Sequence, residues 1–273
     1  MKPIKLIIFD IDGTLLATGS DQVERSALAA IDALHQQGLR IAVATGRNYP
    51  FIKAVIRTQL HADFFITING HCVLNQQAQL ISRVPLQLNA VERLLKDAQR
   101  LNLPFAYKAS HTMHVLHDYE QFYQIYAEGF EVRDLLQDNT NQPLDTLRTE
   151  PALGCFMMAN DAMVERLRPR HPDFQFIRVA QERLDVFGAN ENKTVGIQTI
   201  LDQLNLDWTE VMAFGDGTND LEMLEKAGIG IAMGNAVDAI KAIADYVTAP
   251  VDQGGIAQAL KHYHLIDSGS TDR

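Results

Sequence analysis

The sequence is poor in the features that mark several large protein classes. Its 273 residues include two cysteines, Cys72 and Cys155, without metal-ligand spacing. That argues against a disulfide framework or a cysteine-held metal, and for a reducing, cytoplasmic setting. No basic run of five or more occurs, and 34 acidic residues outweigh 24 basic ones, giving a formal net charge of −10. Neither a nucleic-acid footprint nor a polybasic membrane patch is expected. No stretch approaches the roughly 18 apolar residues that would read as a bilayer span. The first apolar stretch is broken by Asp10 and Asp12. With no small-residue cleavage site after it, it does not read as a signal peptide. There is no internal repeat and no low-complexity tract.

What remains is an ordinary globular composition, 47% hydrophobic and 21% charged, long enough for two domains. The chain opens with strand and helix in alternation. Ile4–Phe9 reads as a buried strand and Gln22–Gln37 as a helix stopped by Gly38. Arg40–Ala44 is a second strand, Pro50–Leu60 helical, and Phe64–Ile68 a third strand. This βαβαβ order predicts a parallel sheet with helices on its faces. The pattern returns late: Lys193–Leu204 helical, Val211–Phe214 a strand, Asp220–Ala227 helical, Ile229–Ala232 a strand. Ala236–Ala244, a short Tyr246–Thr248 strand and Ile256–Tyr263 complete it, before a polar tail from Leu265. Between these halves, helical stretches mix with short strands (Phe105–Lys108, Thr112–Leu116, Cys155–Met158, Phe174–Val179 and Leu184–Phe187). That predicts an α+β unit over 82–187 inserted into an α/β domain of 1–81 and 188–273. Asp134–Pro151 reads as a polar connecting loop within it.

Asp10-Ile11-Asp12-Gly13-Thr14 closes the first strand. Two carboxylates one residue apart, expected to be crowded and short of water, call for a metal cation or a nucleophile-plus-acid pair. Asp12-Gly13 alone would also suit a plain turn, but a turn does not explain Asp10. Gly215-Asp216-Gly217-Thr218-Asn219-Asp220 closes another apolar run roughly two hundred residues later. Two acidic clusters at strand ends suggest one Mg²⁺ site assembled by the fold. The bland alternative is a helix cap with acidic residues in its first turn. Thr45-Gly46-Arg47 could hold a phosphate oxygen, or be an ordinary strand-to-helix turn. Lys193 at a helix start opposes the dipole unless an anion lies beside it, or is a solvated lysine. Asn69-Gly70 reads as a hairpin turn into Cys72–Leu74. His111, His114 and His117 read as strand residues rather than metal ligands, and Phe122, Tyr123, Tyr126 and Phe130 as core.

In this order, Asp-x-Asp-Gly-Thr, Thr-Gly-Arg, an isolated Lys and Gly-Asp-x-x-Asn-Asp resemble the motifs of the haloacid dehalogenase (HAD) superfamily. The run from Met223-Leu224 through Ala227-Gly228 to Met233-Gly234-Asn235-Ala236 resembles its Cof-type (subclass IIB) phosphatases. The family usually has Gly after its motif-three lysine, where Thr194 stands here. The resemblance implies a Rossmann-like core with the inserted unit as a C2-type cap. It implies Asp10 as nucleophile and Asp12 as general acid and base. Mg²⁺ would be held by Asp10, the Asp12 main-chain carbonyl and Asp216. Thr45, Gly46, Lys193 and Asn219 would bind the phosphoryl group. The implied activity is hydrolysis of small phosphate esters, such as sugar phosphates or phosphorylated cofactors, by a monomer or small homo-oligomer. A phosphotransferase or phosphomutase, or a non-catalytic phosphometabolite sensor, are the alternatives.

Overall fold

The computed structural model describes residues 2–126, 133–189 and 192–267. Its strands, in chain order, are β1 (Leu6–Phe9), β2 (Arg40–Ala44), β3 (Phe64–Thr67), β4 (Cys72–Asn75), β5 (Leu80–Arg83), β6 (Phe105–Lys108) and β7 (Met113–His117), followed by β8 (Leu136–Asp138), β9 (Gly154–Met158), β10 (Phe174–Ala180), β11 (Arg183–Gly188), β12 (Val211–Gly215), β13 (Ile229–Ala232) and β14 (Tyr246–Val247). They form two compact units. One comprises Met1–Thr45, Ile52–Ser82 and Asn192–Arg273, the other Gly46–Phe51 and Arg83–Glu191.

The first unit carries an eight-stranded sheet in the order β14-β13-β12-β1-β2-β3-β4-β5. β1 lies at its centre, parallel to both neighbours, with Leu6 opposite Val211 and Arg40. All four β1 residues are fully buried, which is why the strand reads as one unbroken apolar run. From β1 the chain steps outward through β2 and β3. After the second unit it returns at β12 and steps the other way through β13 and β14. The strand order reverses between β1 and β12, and the carboxyl ends of strands at such a reversal are the usual ligand position in sheets of this kind.

Helix Arg25–Gln36 buries Ala27, Ala30, Ile31 and Leu34 on one stripe. It starts three residues later than its apolar spacing suggests, because Glu24 caps it by accepting the Ala27 N–H at 3.1 Å. Helix Lys193–Leu204 is capped by Asn192, whose side chain accepts the Thr194 N–H at 2.9 Å. Its start lies against Gly70, at φ +99°, where a Cβ would come within 2.4 Å of the Asn192 carbonyl oxygen. The Asn69-Gly70 turn thus joins antiparallel β3 to β4 and also admits the helix that carries Lys193.

The second unit carries a six-stranded sheet, β10-β11-β9-β6-β7-β8, antiparallel except for the β7–β8 pair. Alternation along its strands separates two cores. Phe105 and Tyr107 of β6, with Cys155 and Met157 of β9, join helix Leu88–Arg100 on one face. Ala106, Phe156 and Met158 join Phe51, Phe122 and the partly buried Tyr126 on the other.

Two sequence expectations are corrected. Asp134–Pro151 is not all loop: it holds β8 and helix Pro143–Thr149, with Pro143 at the helix start. Each element buries a single leucine, Leu136 or Leu147, so neither produces a visible apolar period. Pro50–Leu60 is not one helix. A single turn, Tyr49–Phe51, is separated from helix Ala54–Gln59 by Lys53, whose backbone is extended (ψ 144°). Phe130 and the tail beyond residue 267 lie outside the described residues.

Candidate active site

Asp10 follows directly on β1, and its N–H donates to the Phe214 carbonyl of β12 at 3.0 Å. Its side chain is buried. Lys193 is fully buried, and its ammonium donates to Asp10 Oδ1 at 2.5 Å and Asp220 Oδ1 at 2.6 Å. The other Asp220 oxygen accepts the N–H groups of Asp216 and Gly217, both at 3.0 Å. Asp220 therefore both aims Lys193 and closes the loop after β12.

Asp216 is half-buried at the end of that strand, and its Oδ1 accepts from the Thr14 hydroxyl at 3.3 Å. Gly13, at φ +88°, lies against it: a Cβ there would fall 2.1 Å from Asp216 Oδ2. Asn235 holds the Gly13 turn from the other side, donating to its carbonyl at 2.8 Å while accepting the Val251 N–H at 2.9 Å. Asp10, Asp216 and Asp220 can each offer a carboxylate oxygen with all three within 4.8 Å of one another.

Three carboxylates against the Lys193 ammonium leave a formal charge of −2 in a largely buried cluster. Burial pushes the Asp10 carboxyl well above the ordinary range. Lys193 pulls it back, while the Asp220 and Asp12 carboxylates push it up further. Burial also opposes the charge on Lys193, but Asp10 and Asp220 outweigh it and hold the lysine above its usual range. Asp216 is raised to about 6, by burial first and Asp220 second, with Lys193 and Thr14 opposing. The shortfall is two positive charges among hard oxygen donors, which suits a divalent cation such as Mg²⁺.

Asp12 departs from expectation. It lies in the turn beyond the strand and its side chain is exposed rather than deprived of water. Thr45 is buried at the end of β2, donating its N–H to Ile66 and accepting from the Asn69 N–H. Gly46 belongs to the second unit, where its carbonyl accepts from Lys108 at 2.9 Å. Asn219 is half-buried in the single turn Thr218–Asp220. Thr194 accepts a hydrogen bond from Lys226 at 3.2 Å. Thr14 and Asn235 were not singled out as site residues. Thr14 acts through one hydrogen bond and Asn235 through two, all to residues distant along the chain, a signal absent from local sequence. His114 is held by Thr112, Asn139 and Glu150 and stacked on Tyr107, a structural role. No helix among the described residues is long and apolar enough to cross a membrane.

Residues 7–260 match the family model of haloacid dehalogenase-like hydrolases. A Bacillus subtilis (strain 168) protein named "Putative phosphatase YkrA" is 35% identical, over 96% of this chain and 98% of the relative. The 5-amino-6-(5-phospho-D-ribitylamino)uracil phosphatase YitU of the same strain is 28% identical, over 94% and 97%. Among solved structures, the HAD subclass IIB sugar phosphatase BT4131 superposes with a TM-score of 0.81 at 28% identity, covering 96% of this chain and all of that one.

Proposed function

This chain belongs to the haloacid dehalogenase-like hydrolases, in their Cof-type (subclass IIB) branch, and we propose that it is a Mg²⁺-dependent phosphatase of small phosphorylated metabolites. The observation that carries the reading is the buried Lys193 ammonium bridging Asp10 and Asp220 beside Asp216. Without a cation that cluster is under-compensated, and it lies at the carboxyl ends of β1 and β12, where the strand order reverses.

The chemistry follows from the roles of these side chains. An Asp10 carboxylate oxygen attacks phosphorus in line, forming an aspartyl-phosphate as the bond to the leaving oxygen breaks. Asp12 delivers a proton to that oxygen, and its exposure leaves it room to reach a bound ester. The resulting Asp12 carboxylate then takes a proton from water as the water attacks phosphorus. Asp10 departs as a carboxylate and phosphate is released. Lys193 keeps Asp10 aimed and offers charge to the phosphoryl oxygens, while Thr45, the Gly46 N–H and Asn219 receive the others. Mg²⁺, when held by Asp10, the Asp12 carbonyl and Asp216, supplies charge neutralisation for the transferring group.

Residues 1–81 and 188–273 serve in this reading as the catalytic core, and 82–187 as the cap that chooses the leaving group. The names of relatives support phosphorylated sugars or heterocyclic intermediates as the substrate class. In this reading the protein works in the cytoplasm, as a monomer or a small homo-oligomer; that Cys72 and Cys155 are both buried thiols supports the reducing setting. The test is phosphate release from a panel of phosphorylated metabolites, with and without Mg²⁺, beside chromatography of the sugar products. Mg²⁺-dependent phosphate release supports the reading. Isomerised sugar phosphate without free phosphate would replace it with a phosphomutase.

A further inference from the structure

The segment after β13, residues 233–237, takes no part in the proposed chemistry, yet it is fastened to both acidic strand ends of the first unit. Its backbone is tied to the end of β12: the Met233 N–H donates to the Gly215 carbonyl at 3.0 Å and the Val237 N–H to the Asp216 carbonyl at 3.1 Å. Between them, Asn235 reaches the other way. Its side-chain amide donates to the Gly13 carbonyl at 2.8 Å, 222 positions earlier in the chain, and its Oδ1 accepts the Val251 N–H at 2.9 Å. A carbonyl accepts and an N–H donates, so both ends of the carboxamide are assigned by their partners. All of these residues belong to the first unit.

The Gly13 turn also has bonds of its own. The Gly13 N–H donates to the Leu16 carbonyl at 2.8 Å, and the N–H groups of Thr14, Leu15 and Leu16 converge on the Ile11 carbonyl at 3.3, 2.9 and 2.8 Å. These close the turn on itself and give it its shape, but they do not set how far it stands from Asp216. Asn235 does, because the segment that carries it is fastened to the Asp216 backbone. The Thr14 hydroxyl adds a longer bond to Asp216 Oδ1, at 3.3 Å. The clearance is small, since there is no room for a Cβ between Gly13 and Asp216 Oδ2. A small shift of the turn therefore changes the seat of that carboxylate.

We propose that Asn235 is a positioning residue of the phosphatase reaction: by holding the Gly13 carbonyl it sets the spacing between the turn that carries Asp12 and the Asp216 carboxylate. The proposal rests on the phosphatase reading of the site. Losing the bond should loosen Mg²⁺, because Asp216 loses its backing. It should also slow turnover at saturating Mg²⁺, because Asp12 stands on the same turn. A small displacement of such groups costs rate even when the residue responsible never touches substrate.

The test uses the full chain with Asn235→Leu and Asn235→Asp, which nearly keep the shape of the side chain. Asn235→Leu removes both hydrogen bonds, whereas Asn235→Asp keeps the acceptor for Val251 and removes the donor to Gly13. Readouts are Mg²⁺ affinity by calorimetry, kcat and KM at saturating Mg²⁺ for an ester the wild type hydrolyses, and thermal unfolding of the metal-free protein. Asn235 is exposed, so both variants are expected to unfold near the wild-type temperature. Both should bind Mg²⁺ about three- to tenfold more weakly, the size of one lost hydrogen bond, and lose about tenfold or more in kcat. The added negative charge of Asn235→Asp would by itself favour a cation, so weaker binding in that variant does not come from charge. Folded variants with unchanged Mg²⁺ affinity and kcat would overturn the proposal. So would Asn235→Asp matching wild type beside an impaired Asn235→Leu, which would place the role in the Val251 bond, and so would losses matching only the unfolded fraction. Wild type that neither binds Mg²⁺ nor hydrolyses esters would overturn the phosphatase reading and this proposal with it.

Discussion

Replacing Lys193 by Met removes the only cation that contacts Asp10 and Asp220 among the described residues, without changing the side chain's length much. Asp10, Asp216 and Asp220 then share a buried site with no ammonium between them. Breaking one side of a buried ion pair costs about 3–5 kcal/mol, a large part of an ordinary domain's stability of about 5–15 kcal/mol. Mg²⁺ binding only the folded form restores about 2.7 kcal/mol at a hundred times its dissociation constant. The variant should therefore be markedly destabilised without Mg²⁺ and substantially rescued with it. Turnover should not be rescued, because losing one preorganised electrostatic donor costs about 10²–10³ in kcat.

The pH dependence has a definite sign. The folded-state pKa of Lys193 is raised, so its stabilisation is fully present below the ordinary lysine value near 10.4 and is lost only above it. Wild type should show no loss from this residue across the neutral range. In the variant the carboxylates, already raised in the case of Asp10 and Asp216, rise further. The folded form then binds more protons than the unfolded one, and stability increases as pH falls from about 8 toward 5. The assay is urea unfolding followed by Trp208 fluorescence at several pH values, with and without Mg²⁺, beside phosphate release. A variant as stable as wild type at neutral pH without Mg²⁺, releasing phosphate at the wild-type rate, would refute the reasoning.

Mg²⁺ affinity, measured by calorimetry, should fall as pH drops through the Asp216 value of about 6, since the proton competes with the cation there and at the likewise raised Asp10. The same raised carboxyl should make the metal-free protein gain stability as pH falls through about 6, a gain that thermal unfolding would detect and saturating Mg²⁺ would remove. Asp12→Asn should lose about 10²–10⁴ in kcat while Mg²⁺ affinity changes little, because its proposed metal contact is the main-chain carbonyl; near-normal turnover would refute the acid–base assignment. Gly13→Ala should weaken Mg²⁺ binding at least tenfold, since its Cβ would lie 2.1 Å from Asp216 Oδ2 and its φ is +88°; unchanged affinity would show that the turn can yield.

Much of the first unit was legible because its central strands are buried on both faces and therefore read as unbroken apolar runs ending in polar residues. Asp10, Thr45 and Asp216 each stand just past such a run, which is why a strand-end reading singles them out. Lys193 was visible only as an oddity, a cation at a helix start. Its burial and its two carboxylate partners depend on β1 and the loop after β12 meeting across the sheet. Asp12 was expected to lack water, yet the turn at Gly13 carries it outward to an exposed position. β8 and helix Pro143–Thr149 were hidden because each buries one leucine within a polar stretch. The grouping of Gly46–Phe51 with the second unit had no local signal at all. It depends on Lys108, 62 positions further along the chain.

The most direct test of the central claim is to identify the group that carries the phosphoryl moiety during turnover. Wild-type protein with Mg²⁺ and a hydrolysed ester would be acid-quenched within a turnover, digested and examined by mass spectrometry. A phosphoryl adduct on Asp10, absent without Mg²⁺ and absent in Asp10→Asn, which should also release no phosphate, is the expected result. Phosphate release by Asp10→Asn at the wild-type rate, or an adduct on another residue, would contradict the assignment of Asp10 as nucleophile.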